Sequence, residues 1–187
     1  MNLPNILTAA RVVVVPLVML SVRQAEPWWN GVACSLFALA ALTDFVDGYL
    51  ARRWGQVTTF GKIMDPLADK LLVLGALVML LSLDRVSPWL VFLLLGREFA
   101  VTTLRVLAVA EGLVIAARPM GKQKTVLQMM GVGALLAHER VELLGIPLDF
   151  HLWGTWLLVL GVVWAVVSGV DYGWAYVAAV RGADDEA

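Results

Sequence analysis

The chain has 187 residues, 60% of them hydrophobic and 16% charged, with a mean hydropathy of +0.82. That composition lies far from an ordinary soluble domain, and a formal net charge of −1 leaves no electrostatic footprint for nucleic acid. A single cysteine, Cys34, excludes an intrachain disulfide and reads as a small apolar packing residue.

Six apolar segments of roughly bilayer-spanning length are read in chain order, at about 6–22, 29–52, 66–83, 88–110, 124–137 and 152–180. The first lacks the small-residue cleavage pattern and extended basic flank of a secretory leader, so it is expected to remain. It opens N-L-P-N-I-L-T-A-A-R, which sets Asn5, Thr8 and Arg11 at three-residue intervals on one helix face. A helix cap explains Asn5 alone and does not explain an arginine inside an apolar span.

The second and third segments carry the densest information. Asp44 and Asp47, three apart, close the second; Asp65 and Asp69, four apart, open the third. Each pair shares a helix face, and four carboxylates in one cleft demand protons or cations. Hard oxygen donors suit Mg²⁺, Mn²⁺ or Ca²⁺, and two divalent ions would balance four carboxylates. Residues 53–64 are expected to run along the interface between the two spans. Pro66 suits a first helical turn, which would let Asp65 cap that helix.

The fourth segment contains G-R-E-F-A-V-T-T-L-R, with Arg97 and Arg105 eight residues apart near one face. Snorkelling accounts for lysines at a span end but poorly for Arg97, well inside the apolar run; Glu98 is its natural countercharge while the pocket is empty. The fifth segment, shortest in apolar residues, opens with Lys122 and Lys124. The last offers only hydrophobicity and Asp171, and A-D-D-E-A at 183–187 reads as a solvated tail.

Lys/Arg asymmetry orients the set. With the N-terminus cytoplasmic, Arg52, Arg53, Lys62, Lys70, Arg118, Lys122, Lys124 and Arg181 fall at the inner face, and only Arg23, Arg85 and Arg140 outside. Trp28, Trp29, Trp89, Trp153 and Trp156 then form an outer aromatic belt. His138 and His151 also fall outside, and no Ser–His or Cys–His arrangement is visible. The expected fold is an all-α integral membrane protein of six transmembrane helices, with a polar, metal-binding cavity near the cytoplasmic face. It forms one domain over 1–187, with a juxtamembrane start at 1–5 and a disordered end at 181–187.

The run D-x-x-D-G-x-x-A-R-x8-G-x-x-x-D-x-x-x-D resembles the signature of the CDP-alcohol phosphotransferases, membrane enzymes of phospholipid synthesis. Asp44, Asp47, Gly48, Ala51, Arg52, Gly61, Asp65 and Asp69 match every fixed position. The resemblance implies metal ligation by Asp44, Asp47, Asp65 and Asp69, with Asp69 as the base, and two divalent cations, Mg or Mn. It also implies contact with a CDP-lipid by Asn5, Thr8, Gly48, Ala51, Arg52 and Gly61. The N-L-P-N start, the G-R-E-F segment and G-K-Q-K-T-V-L-Q are similar to the branch of the family whose acceptor is glycerol-3-phosphate. That likeness implies an acceptor-phosphate site among Arg11, Arg97, Arg105, Arg118, Lys122 and Lys124. It further implies CDP-diacylglycerol as donor and a homodimer in the bacterial cell membrane; with no Ser–His or Cys–His arrangement in view, direct transfer without a covalent enzyme intermediate is expected. Two rivals stay open: a cardiolipin synthase of the same family accepting on phosphatidylglycerol, and a cation transporter using the Asp cluster. Transport would favour midplane carboxylates and internal repeats, neither of which is found.

Overall fold

A computed structural model describes residues 3–22, 27–54, 59–113, 115, 120–143 and 146–185. Six helices follow one another: α1 (Leu3–Ser21), α2 (Pro27–Trp54), α3 (Thr59–Ser82), α4 (Pro88–Ala110), α5 (Met120–Ala137) and α6 (Phe150–Asp185). Strands β1 (Arg140–Leu143) and β2 (Ile146–Asp149) form an antiparallel hairpin between α5 and α6, Arg140 opposite Asp149 and Leu143 opposite Ile146.

Local chemistry explains the clearest boundaries. Pro88 starts α4, where its missing N–H costs nothing. That helix ends at Ala110 and is closed by Gly112, whose φ of +72° is open to glycine; Leu113 N–H donates to Ala108 O at 2.8 Å while Gly112 N–H donates to Val109 O at 3.1 Å. Those two bonds satisfy carbonyls that the helix end would orphan. At the start of α6, Asp149 Oδ1 accepts from Leu152 N–H at 3.0 Å and caps the helix.

Three expectations are corrected. The third helix begins at Thr59, so most of the interfacial connector expected over 53–64 is helical. Pro66 therefore lies inside α3 rather than in its first turn, and Asp65 is an interior helical residue, not a cap. A proline inside a helix removes one backbone donor but is tolerated where neighbouring elements support the turn, and α1 likewise carries Pro16. The end expected to be disordered from 181 continues as helix to Asp185. The hairpin was not anticipated at all.

The chain forms two compact units. One comprises Met1–Val86 and Met129–Thr155, the other Ser87–Gln128 and Trp156–Ala187. In the first, α1 packs on both α2 and α3 around Val18, Val22, Phe37, Leu72, Leu77 and Leu80, all buried. Cys34 is half-buried there, its Sγ 3.4 Å from Gly133 O. In the second, Val91, Leu94, Val101, Leu158, Val162 and Ala165 are buried.

Among the described residues one helix, α6 over Phe150–Gly182, is long and apolar enough to cross a membrane; Thr8–Ser21 and Trp28–Thr43 are shorter apolar helical runs. Large apolar side chains nevertheless stand exposed on α1 (Val13, Leu20), α4 (Phe92, Phe99, Val109) and α6 (Trp156, Val163, Val170). Exposed apolar area on this scale is foreign to a solvated monomer.

Candidate active site

Two polar rungs join α1 to α3. Thr8 Oγ1 donates to Asp65 Oδ1 at 2.5 Å, and Arg11 Nη1 donates to Asp69 Oδ1 at 3.0 Å. The three-residue step on α1 meets the four-residue step on α3, so both helices present a single polar face to one another. Farther along, a side chain on Gly75 would come within 2.8 Å of Val15 Cγ1 and 3.2 Å of Met19 Sδ. The partners rise together, 8 with 65, 11 with 69, 15 and 19 with 75, so α1 and α3 run in the same direction. At the other end, Arg85 Nη1, just past α3, donates to Asn30 Oδ1 at the start of α2 at 2.9 Å, which makes α2 and α3 antiparallel.

The Arg11 side chain is 0% exposed and that of Asp69 34%. A fully enclosed guanidinium is tolerable only against a carboxylate that fixes it, and Asp69 does so while keeping an open edge. Among the described residues no three histidines, cysteines or carboxylates gather into a metal-holding group. The donor chemistry of Asp65 and Asp69 still suits a hard cation: two carboxylates one helical turn apart, on one face. Asp44, Asp47, Gly48, Ala51 and Arg52 lie on α2, Asn5 on α1, Gly61 on α3 and Lys122 on α5, with side chains outside those described; Arg118 lies outside the described residues.

The second unit holds a separate cationic seam. Arg97 donates through Nε to Ala165 O at 2.9 Å, through Nη2 to Ser168 Oγ at 3.1 Å and through Nη1 to Glu98 Oε1 at 3.1 Å. Lys124 Nζ pairs with the same Glu98 Oε1. Arg105 lies over the Tyr172 ring at 5.8 Å, and Tyr176 OH donates to the Glu111 carboxylate at 3.0 Å. These contacts also rise together, so α4 and α6 are parallel. α6 reaches Arg97 because Gly169 has no Cβ; one there would stand 3.2 Å from Arg97 Cγ.

Of the expected site residues that are described, Thr8, Arg11, Asp65 and Asp69 are brought together on α1 and α3. Arg97 and Lys124 meet through Glu98, and Arg105 is held on an aromatic ring. Ser168, Tyr172 and Tyr176 were overlooked in a helix read as featureless. Their four-residue spacing, one polar stripe along α6, was the available signal.

The sequence pattern of a family described as CDP-alcohol phosphatidyltransferase matches residues 1–167. Over 185 residues the chain is 40% identical to the CDP-diacylglycerol–glycerol-3-phosphate 3-phosphatidyltransferase of Bacillus subtilis (strain 168), covering 91% of this chain and 93% of that protein. Proteins of the same name from Rickettsia bellii (strain RML369-C) and Cereibacter sphaeroides (strain ATCC 17023) are also similar. The first is 37% identical over 171 residues, with 91% and 93% covered. The second is 38% identical over 145 residues, with 75% and 66% covered.

Proposed function

The chain belongs to the CDP-alcohol phosphatidyltransferase family, and from that premise we infer that it transfers the phosphatidyl group of CDP-diacylglycerol to glycerol-3-phosphate, giving phosphatidylglycerophosphate and CMP. The observation that carries the acceptor is the name shared by relatives that match nine-tenths of both chains. The α4–α6 seam supplies the chemistry such an acceptor needs: a phosphate-bearing alcohol accounts for cations that are otherwise expensive in an apolar helix.

In the reaction an acceptor hydroxyl oxygen bonds to the lipid-bearing phosphorus. The bond from that phosphorus to the oxygen of CMP breaks, and the hydroxyl proton passes to the Asp69 carboxylate. Arg11 fixes the orientation of that carboxylate, and Thr8 does the same for Asp65. We assign Asp44, Asp47, Asp65 and Asp69 as the residues that would hold two divalent cations, Mg or Mn. When bound, such ions supply countercharge to the pyrophosphate. Asn5, Thr8, Gly48, Ala51, Arg52 and Gly61 are assigned to the CDP-lipid. Arg97, Arg105 and Lys124 are assigned to the acceptor phosphate, together with Arg118 and Lys122; Arg11, enclosed against Asp69, serves that carboxylate instead. With little covalent work left to the protein, positioning and charge dominate.

The exposed apolar faces of α1, α4 and α6 support a multi-pass protein of the bacterial cell membrane, for which a homodimer and a cytoplasmic site are our reading. So do the exposed Trp28, Trp89 and Trp153 in the first turns of α2, α4 and α6. The test uses purified protein, CDP-diacylglycerol and radiolabelled glycerol-3-phosphate, with phosphatidylglycerol as rival acceptor. Transfer to glycerol-3-phosphate supports the assignment; preferential transfer to phosphatidylglycerol makes the chain a cardiolipin synthase instead. Arg97→Ala should raise the apparent KM for glycerol-3-phosphate about tenfold or more, with little change for CDP-diacylglycerol, as expected for a lost charge-assisted hydrogen bond.

A further inference from the structure

Glu98 sits between the two cations assigned to the acceptor phosphate. One of its oxygens, Oε1, is shared by Arg97 Nη1 and Lys124 Nζ. Of the three side chains the carboxylate is the most open, 26% exposed against 11% for Arg97 and 9% for Lys124. The carboxylate is thus the member of the trio most open to an incoming ligand. Arg97 does not depend on that contact for its position, because Ala165 O and Ser168 Oγ hold two other edges of its guanidinium. The carboxylate can swing away and leave the cation in place.

We propose that Glu98 is a resident anion that selects the acceptor: a ligand reaches Arg97 and Lys124 only by displacing a carboxylate already seated between them. The proposal rests on reading Arg97 and Lys124 as the acceptor-phosphate site. A phosphodiester carries one negative charge and offers these cations no more than Glu98 does. A phosphomonoester carries about 1.5 to 2 charges near neutral pH and three strong acceptor oxygens, and so wins the exchange. Glu98 thus sets a charge threshold that glycerol-3-phosphate passes and a phosphodiester headgroup does not. It touches no reacting atom and acts as a specificity-determining residue. Its removal should relax selectivity rather than abolish chemistry.

The experiment measures transfer from CDP-diacylglycerol by the whole protein in detergent, with dimethyl phosphate as a monoanionic probe and inorganic sulfate as a dianionic one. The wild type should be inhibited competitively against glycerol-3-phosphate by sulfate and not by dimethyl phosphate. Equal inhibition by both overturns the proposal without any variant. In Glu98→Gln, and in Glu98→Ala as a second neutral replacement, dimethyl phosphate should become a competitive inhibitor. The KM for glycerol-3-phosphate should fall about tenfold, the order of one charge-assisted contact no longer contested. Glu98→Asp keeps the charge and should keep the wild-type selectivity. Dimethyl phosphate remaining inert in either folded neutral variant sinks the proposal, whatever happens to KM. Arg97→Ala separates the two layers of the argument. If it leaves both the KM for glycerol-3-phosphate and sulfate inhibition unchanged, the acceptor-site reading itself fails. If it raises KM while the Glu98 variants stay selective, only the role of Glu98 falls.

Discussion

Arg11 and Asp69 show how far single residues could be read before any fold was known. An arginine inside an apolar run signals a partner, and the three-residue spacing correctly set Thr8 and Arg11 on one face. The identity of the partner was not legible, because periodicity gives faces and not neighbours; α3 supplied it through Asp65 and Asp69. Similarly, the expense of Arg97 and the countercharge Glu98 were visible in sequence, whereas Ser168 was not, since one serine does not disturb an apolar pattern. Asp69→Asn should lower CMP release by roughly a hundredfold or more, the usual share of general-base catalysis, while CDP-lipid binding persists. Near-normal release would remove the base assignment. A second prediction concerns His138, past the end of α5, whose ring meets His151 edge-on at 4.9 Å. Partial desolvation of this largely exposed ring, then Arg85 and His151, push its imidazole below the ordinary value, against the pull of Asp149. The native state thus takes up this proton less readily than the unfolded chain. Stability is fully present above roughly pH 6.5 and lost as pH falls through the lower native value. The detergent-solubilised protein should melt at a lower temperature near pH 5.5 than near pH 7.5, and His138→Gln should flatten the slope; an unaltered slope assigns it to other groups.

At the scale of elements, α4 is found with the expected ends, and α1, α2, α5 and the start of α6 lie within a few residues of them. The misses have physical causes. Pro66 was read as a helix start and Gly61 as part of the connector before it, yet α3 runs through both. The hairpin escaped because β1 and β2 are four residues each, too short for an alternating pattern to stand out. Helix contact is decided by residues that look unimportant in sequence. A Cβ on Gly154 would lie 2.9 Å from Leu135 N and 3.0 Å from Gly131 O, backbone atoms that cannot turn aside. Gly154→Ala should therefore destabilise by about 1–3 kcal/mol, as overpacking does. Gly173→Ala meets nothing within 4 Å and should be neutral or stabilising. Thermal unfolding of the two variants decides it; equal melting temperatures would mean that α5 and α6 give way easily.

For the whole molecule, the composition of the chain pointed to a membrane, and the direction of its helices agrees. The parallel pairs α1 with α3 and α4 with α6, and the antiparallel α2 and α3, are what alternating spans require. Cysteine labelling in a Cys34→Ser background tests the alternation. Val86 is buried and a poor probe, whereas Ser87 and Arg53 are exposed. An impermeant thiol reagent should reach Ser87→Cys from outside and Arg53→Cys only from the cytoplasmic side; labelling from one common face would end the six-span reading. The apolar part of α6 has a further consequence. Its 33 residues extend about 50 Å, against a hydrocarbon core of about 30 Å. Such hydrophobic mismatch is relieved by tilt, by local thickening of the lipid, or by carrying the helix end into the headgroups. Ala165, Ser168 and Tyr172 on this helix contact Arg97 and Arg105, so a tilt of α6 relative to α4 would be felt at those two guanidinium groups. On the proposed assignment of those arginines to the acceptor, bilayer thickness would become an input to acceptor affinity in an enzyme that makes membrane lipid.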